Sequence, residues 1–162
     1  MNSFDRELPA LLPRLRRLAH ALARNRADAD DLAQATVERM LRARDQWQSD
    51  MRFDAWAFRI MRNLWIDTGR AATRLASRLA PEEAGFLVGE EPIDQLEQRS
   101  ELALLMRALA QLPAEQREVI ALVTIEGLGY AEAASVLEVP IGTISSRMLR
   151  GRQALLTIMS AT

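Results

Sequence analysis

Apolar residues recur at steps of three and four along most of this chain, a spacing that builds helices with one buried face. Leu8, Leu11, Leu12, Leu15, Leu18, Ala19 and Leu22 form a first stripe. Ala29, Leu32, Ala33, Thr36, Val37, Met40 and Leu41 form a second, and Phe53, Ala57, Ile60, Met61 and Leu64 a third. The pattern resumes with Leu102, Leu105, Met106, Leu109 and Leu112, and Pro113 stops it. No segment alternates with a period of two, so no strand is expected. Aromatic residues make up only 5% of the chain, while Ala, Leu and Arg abound, which also favours helix over sheet. The expected fold class is all-α.

Capping and breaking residues divide the pattern. Pro9 and Pro13 place the regular part of the first helix from Pro13 onward, since proline suits a first turn better than an interior. Asp28 reads as an N-cap, with Asp31 in capping-box position, for a second helix reaching about residue 44. Residues 45–52 read as a polar loop and about 53–70 as a third helix. Between 76 and 96 the periodicity breaks, and Pro81, Gly85, Gly89 and Pro92 stand among five acids, as in a connector. A helix over 114–126 is then closed by Gly127, and two more follow over 130–137 and 142–156. These boundaries predict two small helical domains, 1–75 and 98–162, joined by an acidic linker over 76–97. The C-terminal domain would contain a helix-turn-helix.

Composition excludes several chemistries. There is no cysteine and only one histidine, His20, so neither a disulfide framework nor a conventional zinc site is available. No Gly-rich phosphate loop and no nucleophile with an evident base is present. The expectation is a protein that is not an enzyme, with no catalytic residues, metal or cofactor. No apolar run approaches the ~18 residues that span a bilayer, and the N-terminus does not resemble a signal peptide. A cytoplasmic protein without membrane insertion is expected. The net charge of −1 conceals segregation: every one of the 21 basic residues is arginine, and they concentrate in residues 1–78 and after residue 139. With so little overall charge, nucleic-acid affinity must come from local patches or from a partner's help.

Three patches stand out. In the last quarter, Ala134 is small where two helices of a helix-turn-helix must approach, and Glu138-Val139-Pro140-Ile141 makes the turn. On the next helix Thr143, Ser146, Arg147 and Arg150 share one face, with Arg able to read guanine bidentately and hydroxyls able to reach phosphates or bases. Ile144, Met148, Leu149 and Leu155 would hold that helix to its own domain; the plain alternative is a solvated basic helix. On the third helix Arg52, Trp56, Arg59, Asn63, Ile66 and Arg70 form a second stripe, suited to stacking and polar contact with single-stranded bases. Trp56 taken alone reads equally as a half-buried core aromatic. Trp47 and Trp65 are not expected to join it in one platform. On the second helix Asp30, Asp31, Gln34 and Glu38 make an acidic face that, by itself, is an ordinary solvated surface.

The run Ala27-Asp-Ala-Asp-Asp-Leu-Ala-Gln-Ala-Thr36, then Phe53-Asp-Ala-Trp-Ala-Phe-Arg-Ile-Met-Arg-Asn-Leu-Trp-Ile-Asp-Thr-Gly-Arg70, resembles one conserved-order block of bacterial RNA polymerase sigma factors. A second block, Leu109 to Ile120 followed by Gly142 to Arg152, resembles another. Together they are similar to the small extracytoplasmic-function (ECF) group of the sigma-70 family. The resemblance implies that Asp30, Asp31, Leu32 and Gln34 grip the beta-prime clamp of core RNA polymerase, with the beta flap as a further polymerase contact. It implies that Trp56, Arg59, Asn63, Asp67 and Arg70 capture the −10 promoter element, with the loop over 46–52 forming a pocket for a flipped base. It further implies that Thr143, Ser145, Ser146, Arg147 and Arg150 read the −35 element. Promoter DNA and an anti-sigma factor are the remaining expected partners.

Two positions depart from the family pattern: Ser145 stands where many relatives have Lys, and Gly151 where many have Ala, which would loosen the helix end by up to ~1 kcal/mol. Core polymerase would hold the domains apart, so that two modest DNA affinities act together through effective concentration. Free in solution, the domains are expected to pack on each other or on an anti-sigma factor, hiding their DNA faces. The alternatives are a sigma-like decoy that sequesters an anti-sigma factor, and a stand-alone helix-turn-helix regulator.

Overall fold

A computed structural model describes residues 3–23, 25–48, 51–78 and 100–161. Among these residues there are helices and connecting turns and no strand. Most of the expected linker, residues 79–97, lies outside the described residues.

Three helices build the first half: α1 (Ser3–Leu22), α2 (Arg26–Arg42) and α3 (Phe53–Arg78). Helix α1 starts ten residues before the position expected from its prolines. Pro9 and Pro13 both lie inside it, on its exposed side, where the loss of their backbone N–H donors is met by solvent rather than by the core. Burial of Phe4, Leu11, Leu15, Leu18 and Leu22 overrides the local penalty and carries the helix through. Helix α2 is capped by Asn25 rather than Asp28. The Asn25 Oδ1 accepts from the Asp28 backbone N at 2.8 Å, and the Asn25 Nδ2 donates to Asp28 Oδ2 at 2.9 Å. Asp28 is therefore the third helical residue, where its charge suits the helix N-terminus. Helix α2 ends at Arg42, and a single 3₁₀ turn, Arg44–Gln46, opens the loop expected over 45–52. Helix α3 continues past residue 70 to Arg78, through the first residues of the expected linker. Met40, Phe58 and Met61 are completely buried between the three helices, and the buried Thr36 donates its hydroxyl to Leu32 O at 2.7 Å.

Among the described residues, the second half has four helices: α4 (Glu101–Ala110), α5 (Ala114–Ile120), α6 (Tyr130–Leu137) and α7 (Ile141–Ser160). Ser100 caps α4 through the Ala103 backbone N at 3.1 Å. Helix α5 does not run regularly to residue 126 but widens into a π-type turn, Ala121–Ile125, where Glu126 N donates to Ala121 O at 2.9 Å. Gly127 then takes φ 75°, the left-handed cap expected of it. Glu138 adopts the same left-handed region (φ 57°, ψ 46°) to close α6, and Pro140 at φ −62° starts α7.

Ile144 and Met148 seat α7 in its own half, at 0% and 1% exposed. Leu149 does not join them: it is 61% exposed, because it lies about 100° around the helix from Met148, on the outer side. Gly151 has a packing role. A Cβ there would come 2.7 Å from Ile120 Cδ1, so the missing side chain lets α7 approach α5 closely. The helix-loosening cost expected at this position is offset by that contact.

The halves are closed on each other. Helix α1 packs on α4, α5 and the π-type turn, α3 packs on α6, and buried residues from both halves form one hydrophobic cluster. No helix among the described residues is long and apolar enough to cross a membrane.

Candidate nucleic-acid interface

The arginine stripe of α3 is divided by this closure. Asn63, Asp67 and Arg70 are exposed, whereas Trp56 and Arg59 are half-buried. Arg59 Nη2 donates to Ser135 O at 2.6 Å and to Ser135 Oγ at 3.0 Å, so a group expected to meet DNA is bound to α6. Arg52 bonds Asp54 Oδ2 at 2.8 Å and pairs with Glu132 of α6. Trp56 stands in an aromatic cluster with Phe53 (5.9 Å between centroids), Phe4 (6.3 Å) and Trp47 (6.5 Å). Trp47 thus reaches Trp56 after all, drawn in by a turn in which its Nε1 donates to Met51 O at 3.0 Å. A groove of about 600 Å³ runs between α1 and this turn, lined in part by Arg6, Arg14, Trp47, Met51 and Arg52.

On α7, Ser146 and Arg150 are exposed and Thr143 is half-buried on the same face. Ser146 Oγ donates to Gly142 O at 3.0 Å, which leaves its oxygen as an acceptor. The Arg147 side chain is only 16% exposed, with Nη2 3.7 Å from Glu115 Oε1 on α5. Ser145 is exposed but falls on the outer face with Leu149 and Leu156.

On α2, Asp30, Asp31 and Gln34 are exposed together, and Asp30 Oδ1 lies 3.8 Å from His20 Nε2. Leu32 is 5% exposed, in the core beneath them.

The seam between the halves holds the strongest charge chemistry, and the sequence patterns did not single out its centre. The Glu126 side chain is fully buried. Arg14 Nε reaches its Oε2 at 3.1 Å and Arg14 Nη2 its backbone O at 3.0 Å, while Arg17 Nε reaches Oε1 at 2.9 Å. Arg14 Nη1 also holds Asp54 Oδ2 at 3.0 Å, and its guanidinium lies 5.1 Å from the centre of the Phe58 ring. The hydrogen bond with Glu126 pushes the Arg17 guanidinium further up. Deeper in the seam, Arg62 Nε stands 3.4 Å from Glu118 Oε2. Burial raises the Glu118 carboxyl above its ordinary value, and Arg62 only partly opposes this. The one legible hint was Glu126 itself, an acid in phase with the apolar Val119 and Leu122.

Comparison with known proteins agrees with this two-part layout. A family model described as Sigma-70 region 2 matches residues 9–75, and one described as Sigma-70, region 4 matches residues 102–155. The ECF RNA polymerase sigma factor SigE of Mycolicibacterium smegmatis is 38% identical over 157 residues, which are 96% of this chain and 61% of that protein. The chain thus spans about three-fifths of that relative's length. ECF RNA polymerase sigma factor EcfG of Rhodopseudomonas palustris is 33% identical over 160 residues, 98% of this chain and 86% of that protein. Among solved structures, the sigma factor RpoE in complex with the anti-sigma factor NepR from Bartonella quintana matches with a TM-score of 0.85 at 30% identity, over 99% of this chain and 98% of that one. CnrH in complex with the cytosolic domain of CnrY matches with a TM-score of 0.70 at 28% identity, over 98% and 88%. Two helical units in this order, each with an arginine-bearing helix, define a sigma-type transcription factor. The chain belongs to the sigma-70 family, in its ECF group.

Proposed function

We propose that this chain is a promoter-specificity factor: it joins core RNA polymerase, directs initiation at particular promoters, and is held inactive by an anti-sigma factor. The observation that carries the reading is the pairing of both sigma regions on one chain with an arginine-bearing helix in each. In this reading the exposed Asp30, Asp31 and Gln34 meet the polymerase clamp, and the second half meets the flap. Asn63, Asp67 and Arg70, with Arg59 and Trp56 once uncovered, take the −10 element, and Thr143, Ser146, Arg147 and Arg150 read the −35 element. Ser145, on the outer face of α7, lies away from these four and is left out of the reading set.

Anti-sigma control is supported by the match to RpoE, solved with NepR, over nearly the full length of both chains. The closed arrangement described above is therefore close to that of a relative held by its anti-sigma factor.

Transcription from a genomic promoter library with purified core polymerase tests the proposal. Promoter-specific transcripts that depend on the chain are expected; none across the library would overturn it. Within that assay, Arg147→Ala is expected to weaken −35 recognition by ~1–3 kcal/mol. An unchanged promoter preference would remove Arg147 from the reading set.

A further inference from the structure

The ridge that α7 turns outward is centred on residues other than its arginines. At about 100° per residue, Gly142, Ser146, Leu149 and Gln153 fall within about 60° of one another, on the side opposite the buried Ile144, Met148 and Gly151. All four are exposed, so this ridge is what α7 holds furthest from the core of the second half. Arg150 stands on one side of it and Arg152 on the other, both exposed, and α7 carries no acid between Ile141 and Ser160. Two guanidinium groups straddling a neutral ridge match the major groove of duplex DNA, where base edges form the floor and phosphates line both walls.

Two residues on this ridge have no explanation inside the molecule. Leu149 is 61% exposed, although Ile144 and Met148 on the opposite side already seat the helix. A Cβ on Gly142 would have no packing neighbour within 4 Å, in contrast to Gly151, which is fitted to Ile120. Folding therefore asks for neither residue, whereas a duplex asks for both. Glycine lets the first turn of α7 come close to base edges. Leucine, two turns later, offers an apolar surface with no donor or acceptor. Among the donors and acceptors of the major groove, the C5-methyl of thymine is the apolar feature that such a surface can meet. Against any other base edge, leucine would strip water from a polar group and give no hydrogen bond in return.

We propose that Leu149 is a specificity-determining residue of the duplex-reading helix and selects a thymine through its C5-methyl group. Arg150 and Arg152 flank it toward the two strands, and Gly142 sets how deeply the helix lies. The inference rests on the −35 assignment above and names a base that the element carries.

The full-length chain, alone and joined to core polymerase, is used to select duplexes from a random-sequence pool, a step that needs no transcription. In the selected duplex each thymine is replaced in turn by deoxyuridine, which removes the methyl and leaves every hydrogen-bonding group in place. One replacement is expected to weaken binding by the parent chain about three- to fivefold, the contribution of one buried methyl. Leu149→Ala is expected to lose a similar factor on thymine DNA and to bind the uracil duplex no more weakly than the thymine one, because both changes remove the same contact. Leu156→Ala, at a leucine 66% exposed and beyond the N-terminal turns that reach base edges, is expected to keep the full uracil penalty. A thermal melt of each variant checks its folding, and the uracil series on the parent chain needs no substitution. The proposal is overturned by a pool from which neither arm enriches a duplex, by a uracil series without effect, or by a Leu149→Ala chain that keeps the whole penalty. Promoter-specific transcripts without a uracil effect sink only the Leu149 assignment. A uracil effect without any transcript fails only the initiation reading.

Discussion

Gly151 shows how one missing methyl group fixes a helix pair. Alanine there gains about 1 kcal/mol of helix propensity, but its Cβ meets Ile120 Cδ1 at 2.7 Å, and overpacking of this kind costs about 1–3 kcal/mol. Gly151→Ala is therefore expected to destabilise the chain by about 1 kcal/mol in urea unfolding. Combined with Ile120→Val, which removes the opposing methyl, it is expected to become neutral or better. Additive effects of the two substitutions would show that the contact does not decide the sign. Glu118 makes a second residue-scale prediction. Its folded carboxyl titrates above its unfolded value of about 4.5 because of burial, so between those two values the folded state holds more protons than the unfolded one. Stability contributed by the protonated form is full below the unfolded value and is lost as pH rises through the folded one. Melts of Glu118→Gln are expected to lack this decline over the weakly acid range; a variant that tracks the parent chain at every pH would contradict it.

At the scale of elements, the turn of the helix-turn-helix is under local strain. Glu138 sits at φ 57°, where an L-residue with a Cβ costs roughly 1–2 kcal/mol and glycine pays only its greater chain entropy. Glu138→Gly is expected to stabilise the chain by about 0.5–1 kcal/mol, seen as a higher melting temperature. A lower one would mean that the exposed Glu138 side chain contributes more than the strain costs. The buried stripes of α1, α2 and α3 were largely legible in sequence, because one apolar face packed against neighbours is what the three–four spacing records, but Leu41, Leu102 and Leu149, read as facing inward, are exposed. The helix ends were less legible. Asn25 and Asp28 are both good caps, and the choice between them depends on which backbone N–H lies within reach, not on residue type. Pro9 and Pro13 argued for a later start to α1, and burial of Phe4 with the aromatic cluster outweighed them. The π-type turn after Ile120 has no local sequence signature. The candidate DNA residues were legible as stripes, but their state was not: Arg59 on Ser135 and Arg14 on Glu126 join positions 76 and 112 residues apart, which no periodicity encodes.

For the whole molecule, one apolar cluster shared by both halves, together with the buried Glu126 clamp, makes a single cooperative unit at low salt. Calorimetry is expected to give one transition for the parent chain. Arg14→Ala leaves Asp54 and Glu126 each short of a donor, so it is expected to cost about 1–3 kcal/mol and to separate the halves into two transitions. One transition at an unchanged temperature would show that Arg14 does not couple them. Arg59 carries the last consequence. In the function proposed above, the guanidinium that Ser135 holds at rest is the one a promoter strand would claim, so one side chain would belong to two equilibria that linkage makes reciprocal. DNA loosens the resting chain by the same factor by which a loosened chain favours DNA. Any substitution at that position therefore moves the strength of the response and the quietness that precedes it together, and neither can be tuned alone.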